Sequence, residues 1–509
     1  MLKQLHRTRQ PKGMDFLKDI YGILAQYVEQ RTDSDLPVQD VIRPDLLRKF
    51  IQFDNQDVLD REALKAVCEA ILKHSTQTQH PNFVSQLYGC PDPYGLAADA
   101  IVSALNTNVH IYDLAPVLTL VENTVIGYLS DKFRLSDGAN KGDGIFVPGA
   151  STGTQYALHL ARHLNAPAVK SSGMALQKPL VAYCSEAAHY SCSNAAVLLG
   201  LGSENMRKIE CDHNGAMLVD KLREALDRSI HAGEQPFCVI ATAGTTVLGG
   251  FDPIEAIAAL ARRHNLWLHV DAAWGGAAAF SENHKQHLLG IHQADSVVFN
   301  AHKALGLPIQ CSALLVNRTR GGILTEATST QAPYLHQSDR VTHEENLDIS
   351  KKTFQCGRKG DALKLWLLKQ AVGDAGLADR VDCCAGVAAK LARKVQERTE
   401  ADGSFLLKSN IFATTCFWYI PRKFRGSTDG SNMGNLPFDL GSIAPKIKEY
   451  MLANGYNCML GYASSANTPA FFRWAVTNPP AEQDFSEQGI DRILDMIEDV
   501  GERISGAQL

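Results

Sequence analysis

Residues 266–276 read LWLHVDAAWGG, and residues 296–306 read SVVFNAHKALG. Each is a short, nearly unbroken apolar run that gives way to small and polar residues. Asp271 closes the first run, and Lys303 lies just beyond the second. Such runs fit strands buried on both faces, which show continuous rather than alternating hydrophobicity. The pattern repeats outward. Residues 144–148 (GIFVP), 179–185 (PLVAYCS), 237–244 (FCVIATAG) and 312–317 (SALLVN) read as further strands. Residues 121–133, 156–164, 187–200 and 253–265 read as helices between them. Strands alternating with helices of this length imply an α/β fold with a largely parallel sheet covered on both sides.

The flanks differ. Residues 15–30 and 61–74 carry apolar side chains at i, i+3 and i+4, which predicts helices. Residues 325–353 are polar and weakly patterned and read as a long loop, followed by a strongly helical stretch at 361–373. The remainder mixes strands (413–420, 471–477) with helices (442–455, 489–504). The expected organisation is a mostly helical segment over 1–103, a large domain over 104–360 and a small α+β domain over 361–509.

Composition narrows the function. The 509 residues are 45% hydrophobic and 21% charged, ample for a buried core, which excludes disorder as the main state. A net charge of −5 argues against a partner such as nucleic acid, which selects a basic excess. The 12 cysteines show no CxxC pair and no zinc spacing, so no metal is expected and a reduced, cytoplasmic setting is. No apolar run approaches the ~18 residues that span a bilayer. The basic N-terminus, MLKQLHRTRQPKG, lacks the apolar stretch of a secretory signal and reads as a solvated tail.

Five stretches carry chemistry. A carboxylate at the carboxyl end of a parallel strand, as Asp271 would be, faces the crevice where ligands of such sheets bind, although an Asp there can equally cap the next turn. A lysine beside apolar surface, as Lys303 would be, loses part of its affinity for the proton and becomes a nucleophile. Asn300 and His302 flank it with hydrogen-bonding groups. The turn PGASTGTQYA (148–157) offers backbone N–H groups, the hydroxyls of Ser151 and Thr152 and a helix N-terminus to an anion. SEAAHYS (185–191) places His189 at a helix start, and ATAGTT (241–246) runs a strand into hydroxyl residues ending at Thr246.

Taken in this order, these stretches resemble the pyridoxal-phosphate enzymes of fold type I, the aspartate-aminotransferase fold. They resemble most the group II decarboxylases acting on glutamate, aspartate and cysteine sulfinate. FCVIATAGTTVLGGFDPI (237–254), LWLHVDAAWGG, PIQCSALLV (308–316) and FQCGRKGDALKLWLL (354–368) carry the resemblance, which extends from about His80 to Asn478. The resemblance implies that Lys303 holds pyridoxal 5'-phosphate as a Schiff base and that Asp271 pairs with the pyridine nitrogen. It implies that His189 stacks on the ring, Ala273 supports the other face and Thr246 lies near the ring oxygen. Ser151, Thr152, Asn300 and His302 would hold the phosphate. Arg473, in FFRWAVTNP (471–479), matches an arginine that binds a substrate carboxylate, and Gln86, in HPNFVSQLYG (80–89), matches a pocket glutamine. Tyr88 stands where glutamate decarboxylases carry a serine, and a bulkier residue shortens the pocket. The expected substrate is therefore a small acidic amino acid: aspartate, cysteine sulfinate or cysteate. Phe83, Asn106 and Asn108 would line the entry. The family also implies a homodimer with active sites at the interface.

Two departures stand out. Ala301 replaces the family's proline between the Asn and the His. The family's loop tyrosine, which reprotonates Cα, is missing from YLHQSDRVTHEENLDISKKTF (334–354), where Tyr334 aligns with a framework position and the catalytic position falls near Thr342 or His343. His343 is the candidate acid, because an imidazole titrates in the useful range. The alternative outcome is oxidative decarboxylation–deamination to an aldehyde, or other Cα/Cβ chemistry.

Overall fold

A computed structural model describes residues 12–30, 37–51, 58–137, 141–175, 177–329, 347–425, 438–465, 468–477 and 486–506. Seven strands form the larger sheet: β1 (Asp143–Phe146), β2 (Leu180–Ser185), β3 (Met206–Ile209), β4 (Gln235–Thr242), β5 (Trp267–Asp271), β6 (Ser296–Asn300) and β7 (Ser312–Val316). Their order is β1-β7-β6-β5-β4-β2-β3. β3, β2, β4, β5 and β6 run parallel, while β7 is antiparallel to both of its neighbours.

The central strands bury every residue of β5 and β6, which is why they read as unbroken apolar runs. Successive side chains of β6 point to opposite layers. Phe299 packs against Phe133 and Phe280, with ring centroids 5.7 and 5.6 Å apart. Val298 faces the other way, onto the helix Ala150–Asn165. A Cβ on Gly153 of that helix would lie 2.4 Å from Val298, so only glycine lets the helix approach this closely. Each such buried side chain stabilises the sheet by about 1.5–3 kcal/mol.

A helix over Ala362–Asp402, broken by non-helical backbone at Gly373, leads to a second, antiparallel sheet. It consists of β8 (Phe405–Ile411), β9 (Thr414–Tyr419), β10 (Gly461–Ser465) and β11 (Thr468–Ala475), in the order β10-β11-β9-β8. The stretch expected to be a loop over 325–353 is more structured at its edges: Ile323–Thr328 is a helical turn-and-a-half, and Ile349–Lys352 a short helical turn. Thr342, His343 and Tyr334 lie outside the described residues. No described helix is long and apolar enough to cross a membrane.

Candidate active site

The carboxyl ends of the parallel strands meet in one cavity of about 220 Å³. β5 delivers Asp271 to it, in register with Thr242 at the end of β4. β6 ends at Asn300, and the turn after it brings His302 and Lys303 to the same space. β2 leads to His189, just before the helix Ser191–Leu198. The wall opposite is the start of the helix Ala150–Asn165, with Gly149 and Ser151. Gly149 has φ +92° and open space where a Cβ would stand, so the chain turns sharply there and exposes the first N–H groups of the helix. Thr246 and Ala273 complete the residues expected from sequence.

The electrostatics follow from burial. Lys303 is held below the ordinary lysine range by desolvation; Asp271 opposes this shift, and the Arg473 charge adds to it. His189 is lowered by burial, against the pull of Asp271, and its Nδ1 lies 2.9 Å from Ser191 Oγ. His302 is pushed down to about 4 by burial. Its Nδ1 lies 3.1 Å from both the N–H and the carbonyl oxygen of Cys311 and 3.3 Å from Ser312 Oγ, which fixes the plane of the ring. Behind Asp271, and on the same face of β5, His269 is buried and pushed down to about 4, with Nδ1 2.9 Å from Ser296 Oγ.

The turn carrying Lys303 is pinned from outside the sheet. Gly306 N–H donates to Lys303 O (3.0 Å), Asp92 N–H donates to Gly306 O (2.7 Å), and Arg380 Nη1 donates to Leu305 O (3.3 Å). Arg380 and Asp92 themselves form a partly buried ion pair at 2.6 Å, Asp92 being its buried member. Ala301 is buried in this turn, where the backbone is fixed by neighbours rather than by a proline ring.

Other expected residues lie elsewhere. Thr152 turns its hydroxyl to Pro148 O (3.3 Å) and closes the turn instead of facing the cavity. Gln86 and Tyr88 are exposed and do not line it. Phe83 is buried and bridges Met459. Asn106 caps the helix Pro93–Leu105 with φ +48°, and Asn108 holds Cys356 O and Arg358 N–H. Arg473, on β11, donates from Nη1 to Thr246 O (2.9 Å) and from Nη2 to Ser85 O (2.5 Å). No described carboxylate pairs with it, and its buried Nε has no partner. Reasoning from sequence passed over Thr242, Gly244 and Trp274, which also line the cavity. All three stand inside or next to quoted motifs, and strand register was the missing signal.

The residues fit pyridoxal phosphate. Asn300 Oδ1, Thr242 Oγ1 and Trp274 Nε1 are buried without a protein partner, and all three residues face this cavity. One end offers a helix N-terminus, the Ser151 hydroxyl and the His302 imidazole, groups suited to a phosphate. The other end holds a carboxylate and an amine of lowered proton affinity.

This sheet order, with a nucleophilic lysine and a strand-end carboxylate in one crevice, defines a fold type I pyridoxal-phosphate enzyme. The pyridoxal-dependent decarboxylase conserved domain matches residues 44–420, and the chain belongs to that family. It is 38% identical to acidic amino acid decarboxylase GADL1 of Xenopus tropicalis over 491 residues, 96% of this chain and 93% of that one. It is 37% identical to human cysteine sulfinic acid decarboxylase over 483 residues, 94% of this chain and 95% of that one. The crystal structure of mouse CSAD in apo form superimposes with a TM-score of 0.88 at 35% identity, covering 96% of this chain and 99% of that one. The protein is thus a pyridoxal-phosphate-dependent amino-acid decarboxylase.

Proposed function

We propose that the substrate is a small acidic L-amino acid, with aspartate, cysteine sulfinate and cysteate favoured over glutamate. The observation that carries this reading is Arg473. Its guanidinium is fixed by two main-chain carbonyls, has no described acidic partner, and lies close enough to lower the proton affinity of Lys303. A guanidinium so placed is a receptor for a carboxylate or sulfinate. The relatives named for acidic amino acids and cysteine sulfinic acid support the same class. Gln86 and Tyr88 enter this reading through the resemblance alone.

Pyridoxal phosphate supplies an electron sink for the electron pair left when carbon dioxide departs. The chain's own residues do the rest. Lys303 Nζ would be the attachment point and a proton carrier beside the substrate's Cα. Asp271 would keep the ring nitrogen protonated, and His189 and Ala273 would sandwich the ring. Ser151, His302 and the helix N-terminus at Gly149 would hold the phosphate, with Asn300 beside them. Thr152 would act by shaping the turn, and Thr246 by holding Arg473 through its carbonyl.

A second reading rests on the loop without its tyrosine: oxidative decarboxylation–deamination, in which dioxygen and water are consumed and an aldehyde, ammonia, carbon dioxide and hydrogen peroxide are released. His343 is the proton donor in the first reading. Incubating the holoenzyme in air with aspartate, cysteine sulfinate, cysteate and glutamate, and resolving products by mass spectrometry, separates the two. An amine from a short acid supports decarboxylation; an aldehyde with peroxide supports the second reading; activity on glutamate alone overturns the substrate assignment.

The assembly we propose is a homodimer. The helix Lys12–Glu29 exposes Met14, Leu17, Tyr21 and Leu24, and Ile101 and Leu105 are exposed on the helix Pro93–Leu105. Apolar rows of this kind support burial against a second copy. A cytoplasmic setting is supported by twelve cysteines that are all free thiols. A division near 360 is supported by the two separate sheets, whereas the helix Pro93–Leu105 runs across position 103.

A further inference from the structure

The larger sheet carries a second cavity at its other end. It holds about 350 Å³ and opens at the amino ends of β5 and β6, beside Leu266 and Asp295, far from the strand ends that carry Asp271 and Lys303. Its floor is apolar, formed by Ala258, Ala261 and Leu266. Its walls bear four guanidinium groups, those of Arg134, Arg262, Arg318 and Arg320, against the single carboxylate of Asp295.

That carboxylate is fully engaged within the fold. Oδ1 takes Arg320 Nε at 2.6 Å, and Oδ2 takes the Leu268 N–H at 2.7 Å. Arg318 is met at the rim by Asp137 at 3.1 Å. Arg262 reaches only the neutral amide of Gln293, and no described acid pairs with Arg134. Two positive charges on exposed side chains therefore border one concave space with no described acidic partner, in a chain whose net charge is −5. Like charges gathered over an apolar floor repel one another, and an anion between them removes that repulsion. Guanidinium forks match phosphate and carboxylate oxygens, and the volume is that of a small-molecule site.

We propose that this cavity binds a small, multiply charged anion with an apolar body, a phosphate ester or a polycarboxylate, at a site separate from the catalytic one. The experiment is isothermal titration of the holoenzyme with pyrophosphate in one arm and citrate in the other, at constant ionic strength, with cofactor absorbance followed throughout. At least one arm is expected to bind with Kd below about 1 mM. The variant Arg134→Asn/Arg262→Gln is expected to weaken that binding at least about tenfold while turnover and cofactor absorbance stay unchanged. Asn suits position 134, where φ is +57°. Retained turnover shows that the variant is folded; should it be lost, the single rim variant Arg318→Gln replaces it, with weakened binding expected again. The preferred arm identifies phosphate ester or polycarboxylate. The proposal is overturned if neither probe binds below about 10 mM, or if binding persists in the double variant and vanishes in Arg473→Ala, which would place the anion in the catalytic site.

Discussion

In the proposed reaction Lys303 and Arg473 would divide the work of the site between a nucleophile that must lose its proton and a cation that must keep its charge. Burial lowers the proton affinity of both, but only lysine begins near enough to neutrality for the shift to free its amine. Lys303→Ala is expected to reduce product formation by at least ~10³-fold, because the attachment point and proton carrier disappear together. Normal product from that variant would sink the assignment. Arg473→Ala is expected to raise KM for acidic substrates by ~10–100-fold, the equivalent of one charge-assisted hydrogen bond of ~1.5–3 kcal/mol. Arg473→Lys is expected to recover little of it, since an ammonium cannot hold the Thr246 and Ser85 carbonyls and still present a fork. An unchanged KM in the alanine variant would mean that the acid docks elsewhere. Tyr88→Ser is expected to shift preference toward glutamate in competition assays, and no shift would show that other residues set pocket length.

At the scale of elements, the turn after β6 depends on a partner far along the chain. Arg380 on the helix Ala362–Asp402 neutralises Asp92 and ties Leu305, so the Lys303 turn is held between two elements. Arg380→Gln leaves the buried Asp92 carboxylate with only the Tyr94 and Gly95 N–H groups and is expected to cost about 1.5–3 kcal/mol, read from denaturant unfolding. It should also weaken cofactor retention, and unchanged values of both would show that the pair is dispensable. None of this was legible in the sequence, because nothing in QAVGDAGLADR reports which carboxylate lies across the gap. What was legible had a strong local cause. β4, β5 and β6 are buried on both faces, so their apolar runs could be read directly, and Asp271 and Lys303 were found as polar residues where such runs stop. β3, β8 and β10 were missed because MRKI, FLLKSNI and GYASS carry neither an unbroken apolar run nor clean alternation along their length. The helix Ser191–Leu198 is shorter than residues 187–200 imply, since His189 and Ser191 are engaged with each other at its start. The unpaired state of Arg473 was beyond sequence altogether, for it depends on main-chain carbonyls 227 and 388 residues away.

For the whole molecule, the buried imidazoles tie stability to pH. His269 and His302 are both pushed down to about 4, against about 6.5 in an unfolded chain. A lowered histidine favours the folded state fully above pH ~6.5, and that contribution is lost as pH falls through about 4. Each is worth up to ~3 kcal/mol. The urea midpoint of the cofactor-free protein is therefore expected to fall steadily from pH 7 to pH 4, and a flat profile would mean that the rings are solvated. Sedimentation equilibrium is expected to give twice the chain mass, with a truncation before residue 31 shifting it toward the monomer. A full-length monomer would require another explanation for the apolar rows on the helices Lys12–Glu29 and Pro93–Leu105.

The anchoring of Arg473 by carbonyl groups has an evolutionary side. A cation oriented by neighbouring side chains moves whenever those side chains change. One gripped by the main chain of two distant segments stays put through substitutions at Ser85 and Thr246 themselves, because every amino acid supplies the same carbonyl. If Arg473 receives the substrate acid as proposed, exchanging one acidic amino acid for another would need changes in the facing wall alone, with the charge left where the main chain holds it.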